Sequence, residues 1–357
     1  MFFLNIVAAS LLLVSVLASY VSPAVAWIIA LFGIAYPYIL VLNILFLLYW
    51  LIIRDKAFLL SLAIILLGYS NLKNQLQLDL HAKPKLDPEK AFKVLSFNTR
   101  LFDLYEWSKK TDTKKRIFEL IQAEDPEILC IQEFYTSSTR PGFDNLETLK
   151  NIRKKPFVHM AYTDTKRGSD FWGIATFSNF PIVRKGNILF NETTNNLCIY
   201  TDIKINDDTI RIYNAHFQSN RLQREDYEFL GNPKNKKEKW LASRNILYRI
   251  KTGSIKRSKQ VDVVAAHIEN SPYPVILCGD FNDPPSSYTY NRLRNNLKDA
   301  FEESGRGFGN TYNGLIPLLR IDYILHDKKL KSADFKVMEE DLSDHYPLSC
   351  RLQLTGK

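Results

Sequence analysis

Acidic, amide and imidazole side chains recur at one kind of place in this sequence, at the ends of short apolar runs that read as buried strands. The run 92–97 ends at Asn98, 128–131 at Gln132 and Glu133, 210–215 at His216, and 274–279 at Asp280-Phe281-Asn282-Asp283. Ile321 leads into Asp322, and Ser343-Asp344-His345-Tyr346-Pro347 closes the series. Any one of these residues suits a turn or a cap, since turns favour such types. Repetition of the pattern at strand after strand points instead to a site where the ends converge.

The chemistry of the set is coherent. Asn98, Glu133 and Asp344 are hard oxygen donors of the kind Mg²⁺ takes, with waters and a substrate phosphate filling the rest of its shell. Asp280 and Asn282 stand two apart on a turn bounded by Gly279 and Pro284-Pro285, so both can face one pocket. There a carboxylate takes a proton from water while an amide orients a phosphate oxygen. Asp322 and His345 suit a carboxylate–imidazole pair, in which the acid selects the tautomer and favours the cation, so that His345 neutralises a phosphoryl oxygen. Nothing in the set resembles a zinc cluster, because the four cysteines lack paired spacing and the histidines are dispersed.

The elements that must carry these residues differ sharply along the chain. Of 357 residues with a formal net charge of +9, the first 70 hold only Arg54, Asp55 and Lys56 as charged side chains. That rules out both a uniform soluble globule and a polytopic membrane protein throughout. Aromatic and aliphatic content excludes disorder, and the cysteines are too few for a disulfide scaffold. Stretches 1–22 and 24–53 are uncharged and reach the roughly 20 residues that a membrane-spanning helix needs. A cleaved signal peptide is disfavoured because no positive charge precedes the first stretch. Ser22-Pro23 reads as a turn, and Gly33 and Pro37 as bends in the second helix.

The run 57–70 is shorter but has no polar face to lay on a membrane surface, which tips the count from two spans to three. Arg54 and Lys56 place their loop in the cytoplasm, so three spans deliver the rest of the chain outside and two leave it inside. The expected division is a transmembrane anchor of two or three helices over 1–70, a linker over 71–90 with breakers Pro84 and Pro88, and a catalytic domain over 91–357.

Taken in order, the motifs resemble those of the endonuclease/exonuclease/phosphatase superfamily, the DNase I-like proteins. They are Leu95-Ser96-Phe97-Asn98, Ile131-Gln132-Glu133, the stretch from Gly173-Ile174-Ala175 to Pro181-Ile182, Asn214-Ala215-His216, Gly279-Asp280-Phe281-Asn282, Arg320-Ile321-Asp322-Tyr323-Ile324 and Ser343-Asp344-His345-Tyr346-Pro347. With an apolar anchor in front, the arrangement looks most like membrane-bound members from Bacteroidetes-type bacteria. The resemblance implies an α/β fold, a four-layer αββα sandwich of two mostly antiparallel sheets. It also implies divalent-metal phosphoester hydrolysis by in-line attack of water, with Mg²⁺ or Mn²⁺ as cofactor.

Carried over by residue, Glu133 is the principal metal ligand, supported by Asn98 and Asp344. Asp280 is the base, Asn282 and His216 contact the scissile phosphate, and Asp322 orients His345 against the pentacovalent transition state. Two positions depart from the pattern. Asp170 is the only acid near the strand where some nucleases place a glutamate behind the middle histidine, and Asn179 replaces the usual basic residue after Ser178.

A basic domain calls for an anionic phosphoester: a lipid headgroup, an inositol phosphate or nucleic acid. Tethering favours a phosphodiesterase or phosphatase near the bilayer of the bacterial inner membrane, with the catalytic domain on the periplasmic side. The alternative is an endo- or exonuclease on DNA or RNA. A non-catalytic tethered binding protein is the least favoured, because its metal and base positions would be the first to degenerate. Lys234, Lys236, Lys237 and Lys239, then Lys256, Arg257 and Lys259, form two basic runs, read as a solvated helix face or as a patch for lipid or polyphosphate. Trp172, Tyr288, Tyr290 and Tyr312 lie near the motifs, to stack on a substrate or to pack. Cys130 and Cys278 read as small hydrophobes in strands.

Overall fold

The computed structural model describes residues 1–78, 84–152, 156–190, 195–221, 236–314 and 316–355. Part of the expected linker and Lys234 lie outside the described residues, as do the side chains of Lys236, Lys237 and Lys239. The helices are α1 (Phe2–Leu17), α2 (Pro23–Ile34), α3 (Tyr36–Ile52), α4 (Phe58–Leu67), α5 (Tyr69–Gln75), α6 (Thr113–Glu124), α7 (Asn145–Asn151), α8 (Lys236–Glu269), α9 (Tyr288–Arg294) and α10 (Ala300–Ser304). The strands are β1 (Phe92–Asn98), β2 (Ile128–Ser137), β3 (Phe157–Lys166), β4 (Asp170–Ser178), β5 (Ile182–Ile188), β6 (Leu197–Ile205), β7 (Asp208–His216), β8 (Val275–Asp280), β9 (Leu297–Asp299), β10 (Asp322–Asp327), β11 (Leu330–Val337) and β12 (Leu348–Leu354). Contacts divide the chain into two compact units. One is Met1–Gln77 with Gln218–Asp262 and Asn282–Leu293; the other is Leu78–Phe217 with Val263–Phe281 and Arg294–Lys357.

The second unit is a mixed α/β sandwich. Its two six-stranded sheets run β11-β12-β1-β2-β4-β3 and β5-β6-β7-β8-β10-β9. The pairs β1–β2 and β7–β8 are parallel, and the rest are antiparallel. Strand alternation builds the core. Phe92 and Val94 of β1, Ile128 and Cys130 of β2, and Ile276 and Cys278 of β8 belong to one buried cluster shared by both sheets. The residues between them, Leu95, Phe97, Leu129 and Ile131, face the other way and pack with Ile117, Leu120 and Ile121 of α6. All four cysteines are buried and free.

Within the second sheet, Arg211 of β7 lies directly across from Asp202 of β6. Its Nε and Nη2 donate to the two Asp202 oxygens at 2.6 and 2.8 Å, and both residues are buried. This bidentate bond holds the Arg211 guanidinium well above its ordinary pKa, against the pull of burial.

The first unit has the reverse layout. Its apolar helices put asparagines inside: Asn5 donates to Ser61 Oγ at 2.7 Å, Asn43 to the Ala8 carbonyl at 2.9 Å, and Asn71 to Ser19 Oγ at 3.0 Å. Leu45, Leu48, Leu59 and Leu66 stand exposed. Among the described residues no single helix is long and apolar enough to cross a membrane. The pair α2 and α3, bent by 55°, passes together on length and composition. The 24–53 stretch is thus two helices rather than one, because the chain turns at Ala35 and Pro37 starts the next helix without needing an amide partner. With 16 residues, α1 rises only about 24 Å, short of a hydrocarbon core of about 30 Å. The stretch expected as linker from 71 begins inside α5, whose Asn71 and Asn74 are buried.

Arg211→Met leaves Asp202 as an uncompensated buried charge, and the expected loss is about 3–5 kcal/mol. Denaturant unfolding of the full chain checks it. The same midpoint as the unsubstituted protein would mean that Asp202 finds another partner.

Candidate active site

The inner face of the sandwich turns polar at one end. Strand alternation carries it there: Phe92 and Val94 continue to Ser96 and Asn98, Ile128 and Cys130 to Gln132, and Ile210 and Ile212 to Asn214 and His216. In the second sheet His216 and Asp280 are direct partners across β7–β8, and Asp280 and Asp322 across β10–β8. Adjacent partners share a face, so the three side chains sit side by side. Beneath them Gln132 Nε2 donates to Asn214 Oδ1 at 2.7 Å, and Asn214 Nδ2 donates to the Ala175 carbonyl at 2.9 Å, tying the sheets together. Gly279 allows this close approach. Its φ is +145°, and a Cβ there would stand 1.9 Å from the Ala215 carbonyl oxygen.

Glu133 reaches the site against the alternation. It follows Leu129 and Ile131, which face α6, so a regular strand would send it outward. Between Ile131 and Phe134, however, β2 slips one residue against β4, and Glu133 takes φ 47°. This bulge makes Glu133 the extra residue and turns its carboxylate toward the polar end. A second unusual segment follows Asn98, where Arg100 to Asp103 all have φ between 46° and 57°. Such left-handed backbone costs roughly 1–2 kcal/mol per residue. Buried Phe102, against Phe118 and Phe134 with centroids 5.5 Å from each, holds it in place.

Asp280 is the meeting point. Its Oδ2 accepts from Asn98 Nδ2 at 3.1 Å and lies 3.5 Å from His216 Nε2 and 3.7 Å from His345 Nε2. On its other side His345 Nδ1 lies 2.9 and 3.1 Å from the two Asp322 oxygens. Glu133 Oε1 is 3.7 Å from His216 Nε2 and accepts from Asn98 at 3.4 Å. Arg100 Nε reaches Asp344 at 3.4 Å. The turn that carries Asp344 and His345 is moored at both sides. Ser343 Oγ donates to the Asn98 carbonyl at 2.8 Å, and the Tyr346 amide to the Thr311 carbonyl at 2.7 Å. Thr311 Oγ1 in turn accepts from the Ile321 and Asp322 amides, fixing Asp322 against the same turn.

These surroundings shift the two histidines in opposite directions. Burial pulls both toward the neutral form. At His216 burial prevails over the Asp280 carboxylate, and its pKa is lowered. At His345 the charges of Asp322 and Asp280 and the Asp322 hydrogen bond outweigh burial, and the pKa stands well above the ordinary value. Burial and then the Asp344 charge push the Glu133 carboxyl up.

A divalent cation fits this donor set. Glu133 and Asp344 repel each other, an arrangement that a cation shared between them relieves, and both offer hard oxygen. The Asn98 amide turns nitrogen toward the carboxylates while its Oδ1 accepts from the Arg100 amide at 3.1 Å. A half-turn of that amide presents its oxygen to the carboxylate side. Asp280, Asp322 and His345 also form a group with ligand atoms within 4.8 Å of one another, able to hold a metal. There His345 Nδ1 is already engaged by Asp322, and Mg²⁺ prefers an all-oxygen shell.

Of the residues singled out from sequence, Asn98, Glu133, His216, Asp280, Asp322, Asp344 and His345 come together in the second unit. Asn282 belongs to the first unit and has φ 55°. Asp170 accepts from Tyr135 Oη at 2.7 Å, while the carboxylates beside His216 are Glu133 and Asp280. Arg257, read as part of a surface run, is fully buried and donates to Asp283 at 3.1 Å. Arg100, Gln132, Asn214 and Thr311 were given no role from sequence. Gln132 and Asn214 stand inside the quoted motifs, and Arg100 carried a weaker signal, a cation two residues beyond the motif asparagine.

The model of the endonuclease/exonuclease/phosphatase family matches residues 95–345, and that of a domain of unknown function matches 1–75. The chain belongs to the endonuclease/exonuclease/phosphatase family, whose members are metal-dependent phosphoester hydrolases. No curated protein matches it. Similar solved structures include an endonuclease/exonuclease/phosphatase from Beutenbergia cavernae, at 16% identity and TM-score 0.52, covering 75% of this chain and 72% of that one. The catalytic domain of human nocturnin gives 20% identity and TM-score 0.52, covering 77% and 97%. A Bacteroides vulgatus endonuclease/exonuclease/phosphatase gives 15% and 0.53, covering 74% and 99%. At these identities the likeness is one of fold.

With Asp322→Asn, His345 loses the nearest charge that raises its pKa, so its cation gives up the proton at lower pH. Whatever depends on the cation is present below the raised pKa and lost as pH climbs through it. The alkaline midpoint of the His345 imidazole resonance in an NMR titration is expected to move down. An unmoved midpoint would show that Asp280 alone sustains the cation.

Proposed function

We propose that this chain is a membrane-anchored, Mg²⁺-dependent hydrolase of anionic phosphoesters, a phosphodiesterase or phosphatase that accepts Mn²⁺ in place of Mg²⁺. The observation that carries the proposal is the division of labour around Asp280. A buried carboxylate faces one neutral and one cationic imidazole, beside a separate pair of carboxylates that needs a cation. Glu133 and Asp344, with Asn98, would hold the ion. When bound, it neutralises charge on the phosphoryl oxygens and orients the ester.

The chain's own groups do the rest. Asp280 takes the proton from the attacking water. His216, neutral, offers Nε2–H to a phosphate oxygen. His345, kept cationic and in one tautomer by Asp322, donates Nε2–H toward the charge that builds up in the pentacovalent state. Arg100 stands at Asp344, where it holds the carboxylate and limits mutual repulsion with Glu133.

The inside-out packing of the apolar helices supports the anchor, since buried asparagines bonded across helices under an exposed leucine surface suit a hydrocarbon surround. The same proposal places the chain in a bacterial inner membrane and its substrate at or near the bilayer.

Asp280→Ala is expected to lower turnover of a bis-aryl phosphodiester by roughly a hundredfold or more at unchanged unfolding midpoint, the usual scale for a lost general base. A near-normal rate would return Asp280 to a turn residue. Glu133→Gln is expected to raise the Mg²⁺ concentration at half-maximal rate, and an unshifted titration would remove Glu133 from the ion. Assay of the same protein with supercoiled DNA, inositol phosphates and sphingomyelin separates the substrate classes. Failure on every phosphoester with metal bound would overturn the hydrolase.

A further inference from the structure

Trp240, Arg244, Leu247, Tyr248 and Lys251 of α8 follow one another at spacings of four, three, one and three residues. At 3.6 residues per turn they share one strip about 100° wide. All five are exposed, Trp240 by 60% and Tyr248 by 68%. The strip carries two cations and no carboxylate. The Arg244 guanidinium lies 5.1 Å from the Trp240 ring centroid, and Lys251 Nζ lies 5.4 Å from the ring of Trp27 in α2. Trp27 belongs to the bent α2–α3 pair, the segment whose length and composition allow a crossing. Lys251 therefore joins the strip to that segment within one compact unit.

We propose that this strip is a second membrane contact, an interfacial helix face that lies on an anionic lipid surface beside the anchor. Large exposed rings with polar edges, interleaved with long-stemmed cations, suit the headgroup layer, where ring bodies enter the boundary and the charges stay in water. Absence of acid on the strip selects anionic headgroups, at about 1 kcal/mol for each basic residue near such a surface. The proposal rests on the anchor of the preceding section and adds to it a lipid-charge requirement. It has a consequence further along α8, where buried Arg257 donates to Asp283 at 3.1 Å and Thr289 donates to the same carboxylate at 2.7 Å. A docked α8 thus fixes how the segment Asn282–Leu293 of the same unit stands above the lipid.

The test uses the full chain, reconstituted with brominated phosphatidylcholine alone or doped with phosphatidylglycerol, and carrying either Trp27 or Trp240 as sole tryptophan. Trp240 emission is expected to be quenched by lipid and shielded from acrylamide in the doped vesicles. Arg244→Gln with Lys251→Gln is expected to lower its docked-to-undocked ratio about fivefold per charge. Trp27 quenched while Trp240 stays open to acrylamide in both compositions overturns the strip and leaves the anchor standing. Trp240 shielded but unquenched by lipid also overturns it, in favour of a second copy of the chain. Trp27 unquenched removes the anchor itself. Should the single-tryptophan chains misfold, an environment-sensitive fluorophore on Tyr248→Cys reads the same burial, because the four native cysteines are buried.

Discussion

A carboxylate taken almost wholly out of water has to be met by charge or hydrogen bonds, and Asp280 is met from three directions. Asn98 comes from the first sheet, His216 from the neighbouring parallel strand, and His345 from the turn before the last strand. None of these approaches tolerates a register error. A slip of one residue in β7, β8 or β10 would turn its polar side chain away from the inner face and put an apolar neighbour there. The core cluster of alternating isoleucines and cysteines is what prevents that slip, so packing at one end of the sandwich sets the chemistry at the other.

Two histidines that both face Asp280 are shifted in opposite directions because their neighbours differ. Both are desolvated. Only His345 is gripped by a second carboxylate at its Nδ1, and that hydrogen bond with its charge tips the balance toward the cation. The site thus pulls one imidazole toward the neutral form and the other toward the cation. Glu133 and Asp344 form a second pair of carboxylates, which repel each other, beside Asp280. Strain accompanies this arrangement, in the bulge at Glu133 and in the left-handed run from Arg100 to Asp103. Both sit where a side chain has to be aimed rather than merely packed.

The first unit follows a different solvent logic. Its asparagines bond across apolar helices while leucines face out, and the helices are individually shorter than a bilayer core. Arg54, Asp55, Lys56 and Lys73 are the charged residues of its first 77, and α8 adds the strip from Trp240 to Lys251. The net charge of +9 lies almost wholly outside the apolar first 70 residues.

Much of the site is legible in the sequence, because strand alternation and motif order are local properties. The run from Phe92 to Asn98, or from Ile276 to Asp280, shows which face is buried and where it turns polar. Length without charge likewise marks the first 70 residues as a separate material. What local pattern cannot carry is any contact between residues far apart in the chain. By alternation Glu133 faces α6, and only pairing with β4 inserts the bulge that turns it inward. Arg257 reads as one of a run of surface cations, yet it is buried because Asp283, 26 residues on, meets it there. Arg100 finds Asp344 once β12 has paired beside β1, and Gln132 finds Asn214 once the two sheets have closed on each other. Residue types and their periods are written in the chain; which charge faces which is decided by packing, since the field at a side chain depends on everything brought within a few ångströms of it.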